Sequence, residues 1–115
     1  MEKNSKDRNI IEYILKYCDE INSTIIRFGK SYDIFENDSV YQNACALCIL
    51  QIGELAGHVS EDFKSNHQDI PWRNIRGMRN IMAHAYGRLS LSSTWETINE
   101  DIPILKTECE KILNS

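Results

Sequence analysis

Apolar residues recur every three or four positions along most of this 115-residue chain, and no stretch sustains an alternation in steps of two. That period predicts helices and leaves no basis for a sheet. From Asn9 to Phe28 the series Ile10, Ile14, Cys18, Ile21, Ile25 and Phe28, broadened by Ile11 and Leu15, marks an amphipathic helix. Ser5 or Asp7 can cap its start, and Gly29 follows its end. The residues Gly29 to Asp38, with Tyr32, Ile34 and Phe35 among them, read as a polar connection.

A second helix is expected from Ser39 to about Phe63, with Asp38 or Ser39 as cap and Val40, Ala44, Leu47, Cys48, Leu55 and Val59 on its main face. Ala44 to Leu50 leaves no solvent face for two turns. Such a helix either sits centrally or buries a second side against another protomer. A loop around Ser65 to Gln68 follows, and Pro71 opens a third, short helix that Gly87 closes. The fourth starts at Ser93, whose partner Glu96 completes a capping-box pattern, and carries Trp95, Ile98, Ile102, Leu105, Cys109 and Ile112 as a regular seam. Pro103 must kink or split it near Asp101.

The economical architecture is all-α: a single domain over 1–115, folded as a four-helix up-and-down bundle with its last helix kinked at Pro103. With 42% hydrophobic and 26% charged residues, the chain can build one modest core and does not have the composition of a disordered one. Its longest apolar run, Ala44 to Leu50, is far short of the roughly 20 residues a membrane span needs, and Met1 to Ile10 is polar rather than signal-like. Four cysteines lie inside apolar patterns, which reads as reduced core thiols and a cytoplasmic location without membrane contact.

The formal net charge is −4, yet it is unevenly spread. From Pro71 to Ser90 there are Arg73, Arg76, Arg79 and Arg88 and no acid, a cationic island on an acidic body. That distribution suits a local phosphate contact better than a general polyanion surface. At about 100° per residue, Arg73, Arg76, Asn80 and His84 share one stripe about 80° wide, while Ile75, Met78, Met82 and Ala85 take the other side. Arg79 lies about 140° around the helix from His84. Joint action of the two then requires unwinding near His84 or a second chain. Arginine offers planar, permanently charged donors to phosphate, and histidine exchanges protons near neutral pH. The pair suits phosphodiester chemistry without a metal, and no cluster in the sequence has the look of a magnesium or zinc site. A plainer reading stays open: a basic helix end, with His84 capping carbonyls and Tyr86 packing.

Other chemistry-bearing residues have simpler expected roles. Cys45 and Cys48 have metal-like spacing but lack a second ligand pair, so packed thiols are expected. His58 and His67 stand apart from any partner pattern and read as structural. Glu54, two positions after Ile52 in an apolar helix, is expected near the buried side, paired with a cation such as an arginine of the third helix.

The stretch Arg79-Asn80-Ile81-Met82-Ala83-His84-Ala85-Tyr86 resembles the R-x4-H-x-Y signature of the HepT-like branch of the HEPN superfamily, toxin halves of bacterial and archaeal toxin–antitoxin pairs. Ile70-Pro71-Trp72-Arg73, Ile75 and Gly77-Met78 match the family's lead-in. Gln51-Ile52-Gly53-Glu54, Trp95-Glu96 and Ile102-Pro103 extend the likeness over nearly the whole chain. The resemblance implies a HEPN-like four-helix bundle whose homodimer brings paired motifs to a common cleft. It implies a metal-independent endoribonuclease of a type VII-like toxin–antitoxin system, with no cofactor of its own. His84 would transfer protons, Arg79 would stabilise charge on the phosphoryl oxygens, Asn80 and Glu54 would support them, and Arg73 and Arg76 would hold RNA phosphate.

By the same resemblance Tyr86 would accept AMP from an MntA-like nucleotidyltransferase antitoxin, to which ATP and magnesium would belong. RNA is the implied substrate, with tRNA a candidate by analogy. Two competing classes remain at this level: a non-catalytic helical subunit of a nucleotidyltransferase complex, and a bundle that binds nucleotides through Arg73 and Arg76.

Overall fold

The computed structural model describes the backbone of residues 2–77 and 89–114 and the side chains of residues 6–77 and 91–114. The described residues are mostly helical, with no strand among them. Helix α1 (Glu2–Phe28) is 27 residues long, about 40 Å at 1.5 Å per residue, and spans most of a molecule whose longest dimension is 47 Å. Its expected stripe is the core: Ile10, Ile11, Ile14, Cys18, Ile21 and Ile25 are all buried. Gly29 ends it with φ +113, donating its N–H to the Ile25 carbonyl at 2.8 Å. The start differs from expectation. The helix begins before Ser5 and Asp7, and Asp7 turns inward instead of capping it.

The stretch expected to be a polar connection contains a short helix, α2 (Tyr32–Glu36), capped by the Ser31 hydroxyl. Aromatic packing holds it: Phe35 lies 4.9 Å from Tyr41 and 5.4 Å from Trp95, centroid to centroid, and Phe28 stacks on Tyr41 at 5.0 Å. The Tyr41 hydroxyl donates to the Gly29 carbonyl at 3.1 Å.

Helix α3 (Ser39–Gly57) starts where expected, with Asp38 accepting from the N–H groups of Val40 and Tyr41. It stops at Gly57, short of Phe63, and after His58 and Val59 a separate helix α4 (Glu61–Asn66) begins, capped by Ser60. The face that packs is also shifted. Tyr41, Cys45, Cys48, Ile49, Ile52 and Ala56 are buried, whereas Val40 is 63% and Leu47 57% exposed. A segment apolar on every side does not determine its own rotation; the aromatic contacts of Tyr41 and the thiols facing α1 do.

Helix α5 (72–77) begins after Pro71, whose carbonyl accepts from the Ile75 N–H at 3.1 Å. The expected closure at Gly87 lies outside the described residues. Helix α6 (Leu89–Glu96) is followed by one π-helical stretch, Thr97–Asp101, and then by α7 (Ile102–Leu113). Ser93 and Glu96 therefore lie inside and at the end of α6, and the expected capping box is not formed there. Pro103 sits in the first turn of α7, directly after the π-helical stretch. The chain changes hydrogen-bonding register rather than breaking: the Ile102 N–H reaches five residues back to Thr97. The expected seam is buried at Ile98, Ile102, Leu105 and Cys109.

Cross-links between helices give their directions. Gly29 meets Tyr41, Glu20 accepts from Cys48 at 3.7 Å and Asp7 meets Ser60, so α3 runs antiparallel to α1. Arg8 donates to the Leu113 carbonyl at 2.7 Å and Lys106 pairs with Asp19 at 3.1 Å, so α7 does the same. These directions match an up-and-down bundle for the three long helices. Among the described residues, no helix is long and apolar enough to cross a membrane.

Candidate functional site

The described part of the cationic island is Pro71 and helix α5, packed beside α4. Ile70 and Ile75 are buried and fix the inner side of the turn, while Arg73 and Arg76 are exposed. This is the division that the stripe at 100° per residue predicts for its first turn. Trp72 is half-buried, and its indole N–H donates to the His67 carbonyl at 3.1 Å. The ring of His67 lies over Phe63 at 4.2 Å between centroids, and Phe63 meets Trp72 edge-on at 6.4 Å. Ser60 sets Phe63 in place by capping its N–H at 3.2 Å. Arg79, Asn80, His84 and Tyr86, with Met78, Met82 and Ala85 of the opposite face, lie outside the described residues.

Glu54 is exposed, whereas Ile52 and Gly53 beside it are buried. The expectation that Glu54 lies near the buried side is therefore corrected. The shift of the α3 core face turns it outward, and a carboxylate there keeps its hydration. His58 is exposed at the C-terminal cap of α3, and His67 occupies the same position on α4.

The four cysteines are free and buried, as packed thiols should be. Burial pushes the Cys45 thiol up to about 12, reinforced by Cys48, and does the same for Cys109, reinforced by Glu108. Cys48 also rises to about 12 through burial and the neighbouring Glu20 carboxylate. Cys18 is pushed higher still by burial, with Cys109 and Asp19 adding to it. Neutral thiols of this kind are poor nucleophiles and poor ligands. No group of three or more His, Cys, Asp or Glu side chains among the described residues could hold a metal ion. A surface groove of about 330 Å³ between α1 and α7, lined by Cys18, Ile25, Ile98, Pro103 and Lys106 among others, includes no residue of the cationic island.

Two features escaped sequence reasoning: the Asp7–Ser60 contact under α4 and the cluster of Phe63, His67 and Trp72 beside the arginines. The signals were there in part, since Ser60 precedes Phe63 by the spacing of a helix cap. The pairing with Asp7 is non-local and left no local mark.

Comparison with known proteins extends the picture to the whole chain. A family profile described as Ribonuclease HepT-like matches residues 9–112. A protein of Caldanaerobacter subterraneus subsp. tengcongensis, named as a candidate RNase, is 31% identical over 106 residues, covering 92% of this chain and 93% of its own. One of Methanocaldococcus jannaschii, also named as a candidate RNase, is 33% identical over 102 residues, covering 87% of this chain and 81% of its own. A protein of Thermococcus cleftensis named probable ribonuclease HepT is 37% identical over 81 residues, 70% of this chain and 74% of its own. No solved structure gives a significant match. With a helical bundle, a cationic turn on its surface and a family match running almost from end to end, the chain belongs to the ribonuclease HepT-like family.

Proposed function

We propose that this protein is a metal-independent endoribonuclease, the toxin of a type VII-like toxin–antitoxin pair, acting in the cytoplasm as a homodimer. The observation that carries the reading is the family match over residues 9–112, which takes in Arg79-Asn80-Ile81-Met82-Ala83-His84-Ala85-Tyr86. The exposed Arg73 and Arg76 support it by offering phosphate a cationic edge ahead of that motif. The exposed Val40 and Leu47 of α3 support the dimer, since they leave an apolar outer face for a second copy.

In this mechanism the 2′-hydroxyl of the RNA attacks the adjacent phosphorus. The new bond joins the 2′-oxygen to phosphorus and the bond to the 5′-oxygen breaks, leaving a cyclic phosphate. His84 of one protomer takes the hydroxyl proton, and the protonated His84 of the other gives a proton to the departing 5′-oxygen. Arg79 stabilises the charge that builds on the phosphoryl oxygens, with Asn80 and Glu54 orienting the reacting groups. The dimer answers the angular problem, because one straight helix does not aim Arg79 and His84 at the same atom. The substrate is a single-stranded loop or tail, tRNA being one candidate, and the acidic body restricts the grip to a few nucleotides.

Neutralisation proceeds by AMP transfer to Tyr86 from an MntA-like nucleotidyltransferase. The phenolic oxygen attacks the α-phosphorus of ATP and pyrophosphate leaves, with ATP and magnesium bound by the partner. The added phosphate and adenosine then occupy the space meant for RNA phosphate.

The test is cleavage of total RNA by the partner-free protein in EDTA, with mass spectrometry confirming an unmodified Tyr86 and His84→Ala as control. Cleavage lost in the variant is the expected result. No cleavage by the verified unmodified protein overturns the catalytic reading in favour of a non-catalytic helical subunit of a nucleotidyltransferase complex.

A further inference from the structure

Beside the two exposed arginines lies a cluster that neither helix capping nor core packing fully uses. Phe63, His67 and Trp72 are each half-buried, so none is sealed inside, although Phe63 and Trp72 also pack against the core. Their mutual geometry is held at three points: the Ser60 cap on the Phe63 N–H, the 4.2 Å ring contact between Phe63 and His67, and the 3.1 Å bond from the Trp72 indole to the His67 carbonyl. That last bond satisfies the only polar atom of the indole, so Trp72 offers ring surface and no free donor. Trp72 and Arg76 are four residues apart on α5, which places them side by side on one helical face, and Arg73 follows Trp72 directly.

We propose that His67, Phe63 and Trp72 form a stacking platform for one unpaired RNA base, with Arg73 and Arg76 holding the phosphates next to it. The proposal rests on the ribonuclease reading above and adds a base-binding subsite to it. Pre-set aromatic faces with flanking cations are what single-strand recognition requires: stacking supplies affinity without reading hydrogen-bond edges, and the cations follow the backbone. The exposed acids Glu61 and Asp62 open α4, and Asp69 lies between His67 and Trp72 in the chain. They repel a longer polyanion passing that way, so the platform admits a splayed-out base at the end of a short contact rather than a duplex. Trp72 offers the base no free donor or acceptor, so its stacking does not choose among bases and depends on there being one.

The experiment uses the whole 115-residue chain with Trp95→Phe, which leaves Trp72 as its single tryptophan, and short single-stranded oligoribonucleotides read by Trp72 emission. The comparison ligand is an oligonucleotide of equal length and charge with the central base removed. Quenching by the first and not by the abasic one, with affinity lower by about 5- to 50-fold in His67→Ala, is the expected result. ATP and AMP serve as free-nucleotide probes, and quenching by them at concentrations where the oligonucleotide has no effect overturns an RNA subsite.

Equal binding of both oligonucleotides with unchanged emission also overturns the platform, and cleavage of total RNA by the same preparation then shows the ribonuclease reading standing without it. Absence of both binding and cleavage sinks that reading and the platform together. Should Trp95→Phe disturb the aromatic core, the wild-type and His67→Ala affinities for the two oligonucleotides decide alone, since His67 is a half-buried cap residue whose ring contacts only Phe63 among the aromatic side chains described.

Discussion

Asp7 and Ser60, 53 residues apart in the chain, are joined through both oxygens of one buried carboxylate. The Ser60 N–H donates to Oδ1 at 2.9 Å and its hydroxyl to Oδ2 at 2.6 Å. Asp7 is only 2% exposed, and Ser60 in turn caps the N–H of Phe63. One carboxylate thus ties the first turns of α1 to the start of α4, and through Phe63 to the aromatic residues beside Arg73 and Arg76. A buried carboxylate is tolerated there because each oxygen has a donor.

Removing that carboxylate leaves two half-buried donors of Ser60 without their acceptor. Asp7→Ala is expected to lower stability by about 2–4 kcal/mol. Asp7→Asn keeps one acceptor but turns an amide N–H₂ towards a donor, and is expected to lose about half as much. Urea unfolding checks both. A midpoint for Asp7→Ala equal to that of the wild type would show that the contact does not stabilise the fold.

Gly29 has φ +113, and a Cβ placed on it would come within 3.0 Å of Ile34 Cδ1. Gly29→Ala therefore combines backbone strain with a contact to a side-chain tip, and is expected to cost about 1–2 kcal/mol. The two parts are separable: in an Ile34→Ala background the contact disappears and only the strain remains. Thermal unfolding of the four proteins measures the difference, and a Gly29→Ala protein as stable as the wild type contradicts the assigned backbone.

How far the chain could be read in advance depended on whether the deciding contact was local. The isoleucines of α1 state their own periodicity, and so do Ile98, Ile102, Leu105 and Cys109 at the other end. Helix α2 has five residues, too few to show a period, and exists because Phe35 reaches Tyr41 and Trp95. Helix α3 hid its orientation because Ala44 to Leu50 is apolar all round, which is why Val40 and Leu47 were expected inside and are found outside. The same rotation moved Glu54 to the surface. At the candidate site the outward Arg73 and Arg76 and the inward Ile75 followed from helical angles alone. The aromatic cluster did not, since Phe63 and His67 belong to α4 and its cap while Trp72 belongs to α5.

The thiols give a pH dependence of definite sign. Cys45, Cys48 and Cys109 are raised from an ordinary value of 9.0 to about 12, with burial the largest cause. Below about pH 8 both folded and unfolded chains keep these protons, and the thiols add no slope. Above 9 the unfolded chain releases them while the folded chain holds them, so stability falls as pH rises from 9 towards 12. The urea midpoint is expected to drop between pH 8 and 10, and Cys109→Ala is expected to drop less steeply. A disulfide-exchange reagent at pH 8 should label the thiols in urea and leave them unlabelled in buffer; equal labelling in both would contradict their burial.

Arg73 and Arg76 are exposed, so neutralising them leaves the fold's stability within about 0.5 kcal/mol of the wild type. Their expected effect is on RNA. Each phosphate held by a cation releases counterions on binding, and each such contact contributes about 0.7 to the slope of log affinity against log salt for a single strand. Arg73→Gln and Arg76→Gln should each flatten that slope by about 0.7 and weaken binding most at low salt, with the double variant showing both losses. A fluorescent oligoribonucleotide titrated from low to moderate salt gives the slope directly. If the double variant binds with the wild-type slope, the two arginines do not touch phosphate, and the cationic contact has to come from other basic residues such as Arg79 and Arg88.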